Sequence, residues 1–155
     1  PSWALGVAMA DDISGALTLC FSMLDFGLTG FVGQFDCRAP ICANNENMRD
    51  VAEKAMAQEG ITMDHDDMAP PHHVPGDSPF VQELLKVYEA YTGQKGECIA
   101  IGGGTYVHHL KNGVAFGCSM PGTDNKMHGA DEFAVIEDLI ISAKMFAQVI
   151  VNLCE

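Results

Sequence analysis

The segment I-G-G-G-T-Y-V-H-H-L at residues 101–110 and the segment P-G-T-D-N-K-M-H-G-A-D-E at residues 121–132 decide how this chain is interpreted. Three successive glycines allow another backbone or a ligand to approach the chain closely. A helical turn directly after them would offer unpaired N–H groups to an anion or to a developing oxyanion. His128 follows in an acidic loop, ahead of the last apolar segment. Together, the two segments favour hydrolytic chemistry.

The composition sets the class of protein and excludes two kinds of partner. A chain of 155 residues with 48% hydrophobic residues is long enough for one full domain or two small ones. Its formal net charge is −13. Nucleic acids and anionic membranes are polyanions that would repel such a surface, so we expect neither as a partner.

The cysteines indicate a reducing compartment. Six cysteines occur without a C-x-x-C pair, and most of them fall in apolar runs where reduced cysteine behaves as a small hydrophobic residue. No apolar run approaches the ~18 residues of a membrane span, and no basic segment precedes a signal-like core. We therefore expect a cytoplasmic protein.

The first half of the chain predicts helix, strand, helix and strand in that order. Asp11 or Asp12 caps a helix whose apolar stripe runs over residues 13–24, and the alternating residues 31–38 predict a strand. Asn44 or Asn45 caps the next helix, and residues 61–66 predict a short second strand. This order is typical of about half of a ferredoxin-like α+β sandwich.

The segment A-P-P-H-H-V-P-G at residues 69–76 is the best candidate for a domain boundary, because its three prolines favour an extended linker. It separates residues 1–70 from residues 71–155. Ser78 and Pro79 then begin a helix that Gly93 ends. Residues 97–101 and 114–118 predict buried strands, and residues 136–151 carry the apolar stripe of a final helix. Alternating helices and strands predict an α/β second half.

Four spaced motifs show a resemblance to a known family. They are H-x-P-x-D-S-P-F-V-Q-x-L-L-x-V-Y-E-x-x-T-G, I-G-G-G-T-Y, G-V-A-F-G and P-G-x-x-x-x-M-H-x-A-x-E-F, in that order from residue 73. Together they closely resemble the carboxyl-terminal part of bacterial M20 metallodipeptidases, nearest to the PepV-type or Xaa-His dipeptidases. Upstream, G-Q-F-D-C-R-A-P at residues 33–40 resembles a strand of that family's lid domain.

The resemblance implies an activity and a set of site residues. His128 matches a histidine that binds one of two zinc ions, and neutral imidazole is a common zinc ligand. Gly103 and Gly104 match glycines whose backbone lies against the bound peptide. Arg38 matches the lid arginine that binds the terminal carboxylate of a dipeptide, for which a guanidinium fork is well shaped. The implied fold is a lid half at residues 1–70 followed by the end of the catalytic domain at residues 71–155.

The resemblance also implies that this chain is a fragment. The family's other metal ligands and its catalytic glutamate lie upstream of the lid segment, and Asp131 stands where relatives often have asparagine, so we assign it no role. We expect the parent to hydrolyse dipeptides, with Xaa-His substrates among them, and the fragment to be inactive. Apolar sheet surface without its usual cover predicts self-association. The alternative is a non-catalytic binding or oligomerisation module on the same scaffold.

Each candidate residue also has a simpler interpretation. Taken alone, Arg38 at a strand end fits a surface ion-pair partner, and His128 fits an exposed loop histidine. The glycine triplet equally fits a tight turn.

The other polar groups are weaker candidates for a site. Adjacent His72 and His73 point apart on an extended segment, and the acidic residues 64–67 fit a solvated strand end. Ser78 and Thr105 have no histidine–carboxylate arrangement that the sequence reveals, which disfavours a serine hydrolase.

Overall fold

The computed structural model describes residues 2, 4–64, 68–117 and 119–154. The chain divides into two compact units, one comprising Pro1–His73 with Ala100–Gly104 and the other comprising Val74–Ile99 with Thr105–Glu155. The structure combines helices with small antiparallel sheets, so the fold is mixed α and β. The assignment of residues 1–70 to a lid and residues 71–155 to a catalytic segment stays a prediction.

The first unit begins with two β-hairpins. Strand β1 (Ala10–Asp11) pairs with β2 (Gly15–Ala16), and the longer β3 (Thr18–Gly27) pairs with β4 (Gly30–Arg38), both antiparallel. The strand predicted over residues 31–38 is therefore confirmed, but the helix predicted over residues 13–24 is wrong. The Asp11 carboxylate accepts N–H bonds from a tight turn instead of capping a helix, and Gly15 then takes a φ of +80°.

The long hairpin has one predominantly apolar face. Directly opposed residues share a face, and Phe21 lies opposite Phe35 with ring centroids 4.9 Å apart. A bulge at Ser22 shifts the register of the two strands. The Ser22 hydroxyl donates a hydrogen bond to the carbonyl of Gln34 at 3.1 Å. We define the apolar hairpin face as Leu19, Phe21, Leu24, Phe26, Phe31, Phe35 and Cys37.

A helix completes the first unit. Asn44 caps a π-helical turn, Asn45–Arg49, through a reciprocal pair of hydrogen bonds with Asn47, and helix α1 (Asp50–Gln58) follows. The helix predicted here is thus confirmed. Its Ala52 packs into a small core with Val7 and Leu17.

The second strand predicted for this unit is wrong over the part the structure describes. Residues 61–64 form no strand, and residues 65 and 66 of the prediction lie outside the described residues. In the part of this unit that the structure describes, two hairpins followed by the π-helical turn and α1 therefore replace the predicted ferredoxin-like order.

The second unit is built on two helices. Helix α2 (Pro79–Thr92) begins at Ser78, whose hydroxyl accepts the N–H of Val81 at 3.3 Å, and ends at left-handed Gly93. Helix α3 (Ile136–Cys154) packs against it. Both helices were predicted from sequence and are confirmed. Their shared core consists of Leu84, Val87, Met145 and Val149.

The two strands predicted for this half of the chain are wrong. Neither residues 97–101 nor residues 114–117 form a strand, while Cys118 lies outside the described residues. An extended segment needs a neighbouring strand for its N–H and C=O groups, and no such partner is found in the described chain. The short helix predicted after the glycines is present as a 3₁₀ turn, Tyr106–His109.

Candidate functional site

Arg38 lies at the last position of β4 and reaches the glycine triplet. Its Nη1 donates to the carbonyl oxygen of Gly102 at 2.5 Å, and its Nη2 donates to Asp36 Oδ2 at 3.2 Å. Residues two apart on a strand project from the same face, which explains why Asp36 reaches the guanidinium. The structure therefore brings together Arg38, Asp36 and the first of the three glycines.

Gly102 allows the Arg38 side chain to approach closely because glycine has no side chain. Gly102 and Gly103 do not have a positive φ, so neither uses a backbone conformation that favours glycine. A Cβ on Gly102 would lie 3.3 Å from both Cβ and Cγ of Arg38, tighter than ordinary van der Waals contact. At Gly103 the same atom would meet nothing within 4 Å, and Gly104 is exposed.

The Arg38 guanidinium is open to solvent. The side chains of Arg38 and Asp36 are 46% and 55% exposed. An ion pair at such exposure contributes about 0–1 kcal/mol to stability, so its main consequence is to fix orientation. Arg38 was predicted from the sequence and Asp36 was not, although the two-residue spacing within F-D-C-R was a usable signal.

His128 lies in the loop between residues 120 and 135 of the second unit. It has a φ of +63°, and its backbone N–H donates to Glu132 Oε2 at 3.2 Å. Lys126 and Asp131 are also left-handed, at φ values of 55° and 59°. Such a conformation costs a non-glycine residue roughly 1–2 kcal/mol. The loop therefore holds the exposed His128 in an unusual backbone position, and Glu132 is a supporting residue that sequence reasoning missed.

An open groove of about 560 Å³ lies beside this loop. Methionine and phenylalanine side chains line it together with the carboxylates of Glu132 and Asp138. His128 is not among the lining residues. The groove can accommodate apolar groups and favours positive charge.

The described residues do not by themselves fit a zinc ion. Zinc sites in proteins use about three or four ligands. Within residues 2, 4–64, 68–117 and 119–154, no group of three or more His, Cys, Asp or Glu side chains is placed to hold a metal. His128 could therefore serve as one member of a ligand set and not as a complete site.

Neither of the two hydroxyls considered as nucleophiles is hydrogen-bonded to a histidine or carboxylate side chain among the described residues. Ser78 caps α2. Thr105 precedes the 3₁₀ turn, and its buried Oγ1 has no hydrogen-bond partner among the described residues.

None of the helices in the described part of the chain is long and apolar enough to cross a membrane.

The sequence of this chain is similar to those of known peptidases. The model of peptidase family M20/M25/M40 matches residues 8–152. The chain is 41% identical over 154 residues to the putative dipeptidase YtjP of Bacillus subtilis, covering 97% of this chain and 32% of that protein. It is 37% identical over 151 residues to the Beta-Ala-Xaa dipeptidase of Lactobacillus delbrueckii, covering 96% and 32%. The chain therefore spans about a third of the length of these relatives.

Proposed function

The chain belongs to peptidase family M20/M25/M40, and from that membership we propose that it is the carboxyl-terminal third of a zinc-dependent dipeptidase. Both relatives described above carry dipeptidase names, which supports dipeptides as the substrate class. In this proposal residues 1–70 form half of a lid, and residues 71–155 end the catalytic domain. The parent is cytoplasmic, and Xaa-His dipeptides are among its substrates.

The single observation that carries the proposal is the geometry of Arg38. A guanidinium has five N–H donors, and Gly102 and Asp36 take one each. Within the described chain, the remaining donors are left for an incoming carboxylate, which a guanidinium binds in bidentate fashion. A dipeptide always presents a free carboxylate at its end. Arg38 therefore suits the recognition of short peptides by their terminus.

Two further assignments belong to the same proposal. Gly103 and Gly104 follow Gly102 directly, and in this proposal their backbone lies against the bound peptide. His128 supplies one zinc ligand, and the other ligands come from outside the described residues. Because this chain lacks those ligands among its described residues, the isolated chain should not hydrolyse peptides.

The proposal can be tested in the full-length protein by comparing a free dipeptide with its carboxyl-terminal amide. Arg38→Ala should raise KM for the free dipeptide by the equivalent of about 1.5–3 kcal/mol, since a hydrogen bond between charged groups is lost. The amide lacks the charge and should be little affected. Equal losses on both substrates would remove Arg38 from carboxylate recognition.

The zinc assignment has its own test. His128→Ala in the full-length protein should lower the zinc content measured after dialysis, while His109→Ala serves as an exposed control. The reading frame upstream of this chain should encode further histidine and carboxylate ligands. Their absence would contradict the metallodipeptidase proposal.

The alternative is a non-catalytic binding or oligomerisation module, which the exposed apolar hairpin face favours. Calorimetry of the isolated chain with dipeptides and zinc separates the two. Micromolar affinity for a dipeptide would favour the module. No measurable binding would favour the fragment.

A further inference from the structure

We infer that Asp36 is a positioning residue that orients Arg38 for binding the substrate carboxylate. The inference rests on the proposed function, because it concerns the same guanidinium. Asp36 was not among the residues indicated by the sequence. Its role would be to act on affinity through Arg38 and not to touch the substrate.

The geometry fixes the guanidinium at two points. Asp36 Oδ2 accepts from Nη2 at 3.2 Å, and the Gly102 carbonyl accepts from Nη1 at 2.5 Å. A planar group held at both terminal nitrogens cannot rotate about its long axis without breaking one of the two bonds. Its remaining donors therefore keep one direction before any substrate arrives.

The surroundings explain why this restraint matters. Arg38 is at the end of β4 and half exposed, so packing alone does not select one of its many rotamers. A long side chain that must be ordered during binding lowers affinity, whereas one already ordered does not. Asp36 is well placed for this task because it belongs to the same strand and the same face as Arg38.

The Asp36 carboxylate has two opposing effects on an anionic substrate. Its hydrogen bond orders Arg38 and strengthens binding, while its negative charge partly offsets that of Arg38. Substitution by asparagine keeps an acceptor oxygen and removes the charge, whereas alanine removes both. The two variants therefore separate the effect of orientation from the effect of charge.

The test uses the full-length protein with a free dipeptide and the corresponding dipeptide amide. Asp36→Ala should raise KM for the free dipeptide about 10-fold, the effect of one side chain that must be ordered, with little change in kcat. KM for the amide should stay constant. Asp36→Asn should remain within about 3-fold of the wild type, since the acceptor is retained.

The ratio of the two KM values is the deciding quantity, because both substrates are measured on the same protein and partial misfolding cancels. Asp25→Ala is the matched control, an exposed aspartate on the same face of the hairpin whose loss should leave the ratio unchanged. An unchanged ratio in Asp36→Ala would overturn the inference, as would an equal rise for both substrates. A rise in KM for the free dipeptide in Asp36→Asn as large as that in Asp36→Ala would also overturn the inference.

Arg38→Ala tells a failure of this inference from a failure of the proposed function. If Arg38→Ala changes the ratio and Asp36→Ala does not, Arg38 binds the carboxylate without help from Asp36. If neither changes the ratio, carboxylate recognition by Arg38 is itself wrong, and the inference fails with it.

Discussion

The Oδ1 atom of Asp11 accepts a hydrogen bond from the backbone nitrogen of Ser14 at 2.6 Å. The same carboxylate accepts the N–H of Ile13 at 3.0 Å and, through Oδ2, the N–H of Cys42 at 3.2 Å. The Ser14 hydroxyl in turn accepts from the nitrogen of Ile41 at 2.8 Å. One carboxylate thus joins the first hairpin to the segment ahead of α1.

These bonds make the first unit sensitive to acid. The Ser14 N–H, with help from the Ser14 hydroxyl and the N–H groups of Cys42 and Ile13, lowers the pKa of Asp11 from 3.8 to about 2. A lowered folded-state pKa stabilises the protein above the unfolded pKa. That contribution is complete above about pH 3.8 and is lost as the pH falls through about 2.

Asp11→Asn should therefore flatten the acid dependence of stability. We expect the unfolding midpoint of the wild type to fall more steeply than that of the variant between pH 3.8 and pH 2, as measured by circular dichroism. Asp12→Asn is the control, since exposed Asp12 takes part in none of these bonds. Parallel curves for wild type and Asp11→Asn would contradict the assignment.

The apolar hairpin face should drive self-association of the isolated chain. Phe26 on this face is 77% exposed, and burying apolar surface releases ~25 cal/mol per Å². The net charge of −13 opposes association, but salt screens it beyond about 8 Å at physiological ionic strength. We expect a concentration-dependent rise in mass in sedimentation experiments.

Phe26→Asn should weaken that association measurably. The matched control is Val32→Asn, because Val32 is 73% exposed on the opposite face of the same hairpin. A wild-type chain that stays monomeric at high concentration would contradict the prediction. So would an equal loss of association in both variants.

Local signals explain which elements could be predicted from sequence. Helix α2 begins at Ser78 and Pro79 and ends at Gly93, and each of these residues acts within one turn of its own position. Such helix ends can be identified without knowledge of the rest of the chain.

The strands depend on partners that the local pattern does not contain. Residues 13–24 fit a helical stripe, but Leu17, Leu19 and Phe21 fit a period of two equally well. Pairing of β2 with β1 and of β3 with β4 decides between the two patterns. The strands predicted at residues 97–101 and 114–118 do not form over the described residues, because no partner strand lies beside them in the described chain.

The site was predictable only in part. Arg38 and Gly102 are 64 residues apart, and no periodicity in the sequence relates them. The resemblance to a family singled out Arg38 and the glycine triplet separately, and their contact is known only from the structure. The roles of Gly103, Gly104 and His128 stay predictions.

Met145 should be the most sensitive position of the second unit. Its side chain is fully buried between α2 and α3, where Leu84 and Val87 surround it. Met145→Ala should cost about 2–5 kcal/mol, the usual range when a buried side chain is removed and a cavity is left. Ile150→Ala on the same helix is the control. Because Ile150 is 62% exposed, it should cost far less in urea denaturation.

The contact between Arg38 and Gly102 makes a prediction that needs no enzymatic activity. A methyl group on Gly102 would lie 3.3 Å from the Cβ and Cγ atoms of Arg38, so the Arg38 side chain must shift by a few tenths of an ångström. This crowding opposes the gain of about 0.4–1 kcal/mol that alanine usually brings by restricting the unfolded chain, so Gly102→Ala should have a lower urea midpoint than Gly103→Ala in the isolated chain. Loss of the Arg38–Gly102 hydrogen bond should accompany it.

Gly103→Ala is the matched control for that experiment. Its added methyl group would meet nothing within 4 Å, and its backbone φ is not positive, so alanine fits without strain. Replacing glycine at such a position usually stabilises by about 0.4–1 kcal/mol, because the unfolded chain loses freedom. The urea midpoint of Gly102→Ala should therefore lie below that of Gly103→Ala. Equal shifts would mean that Arg38 does not pack against Gly102 in solution, which would also remove one of the two bonds that orient its guanidinium.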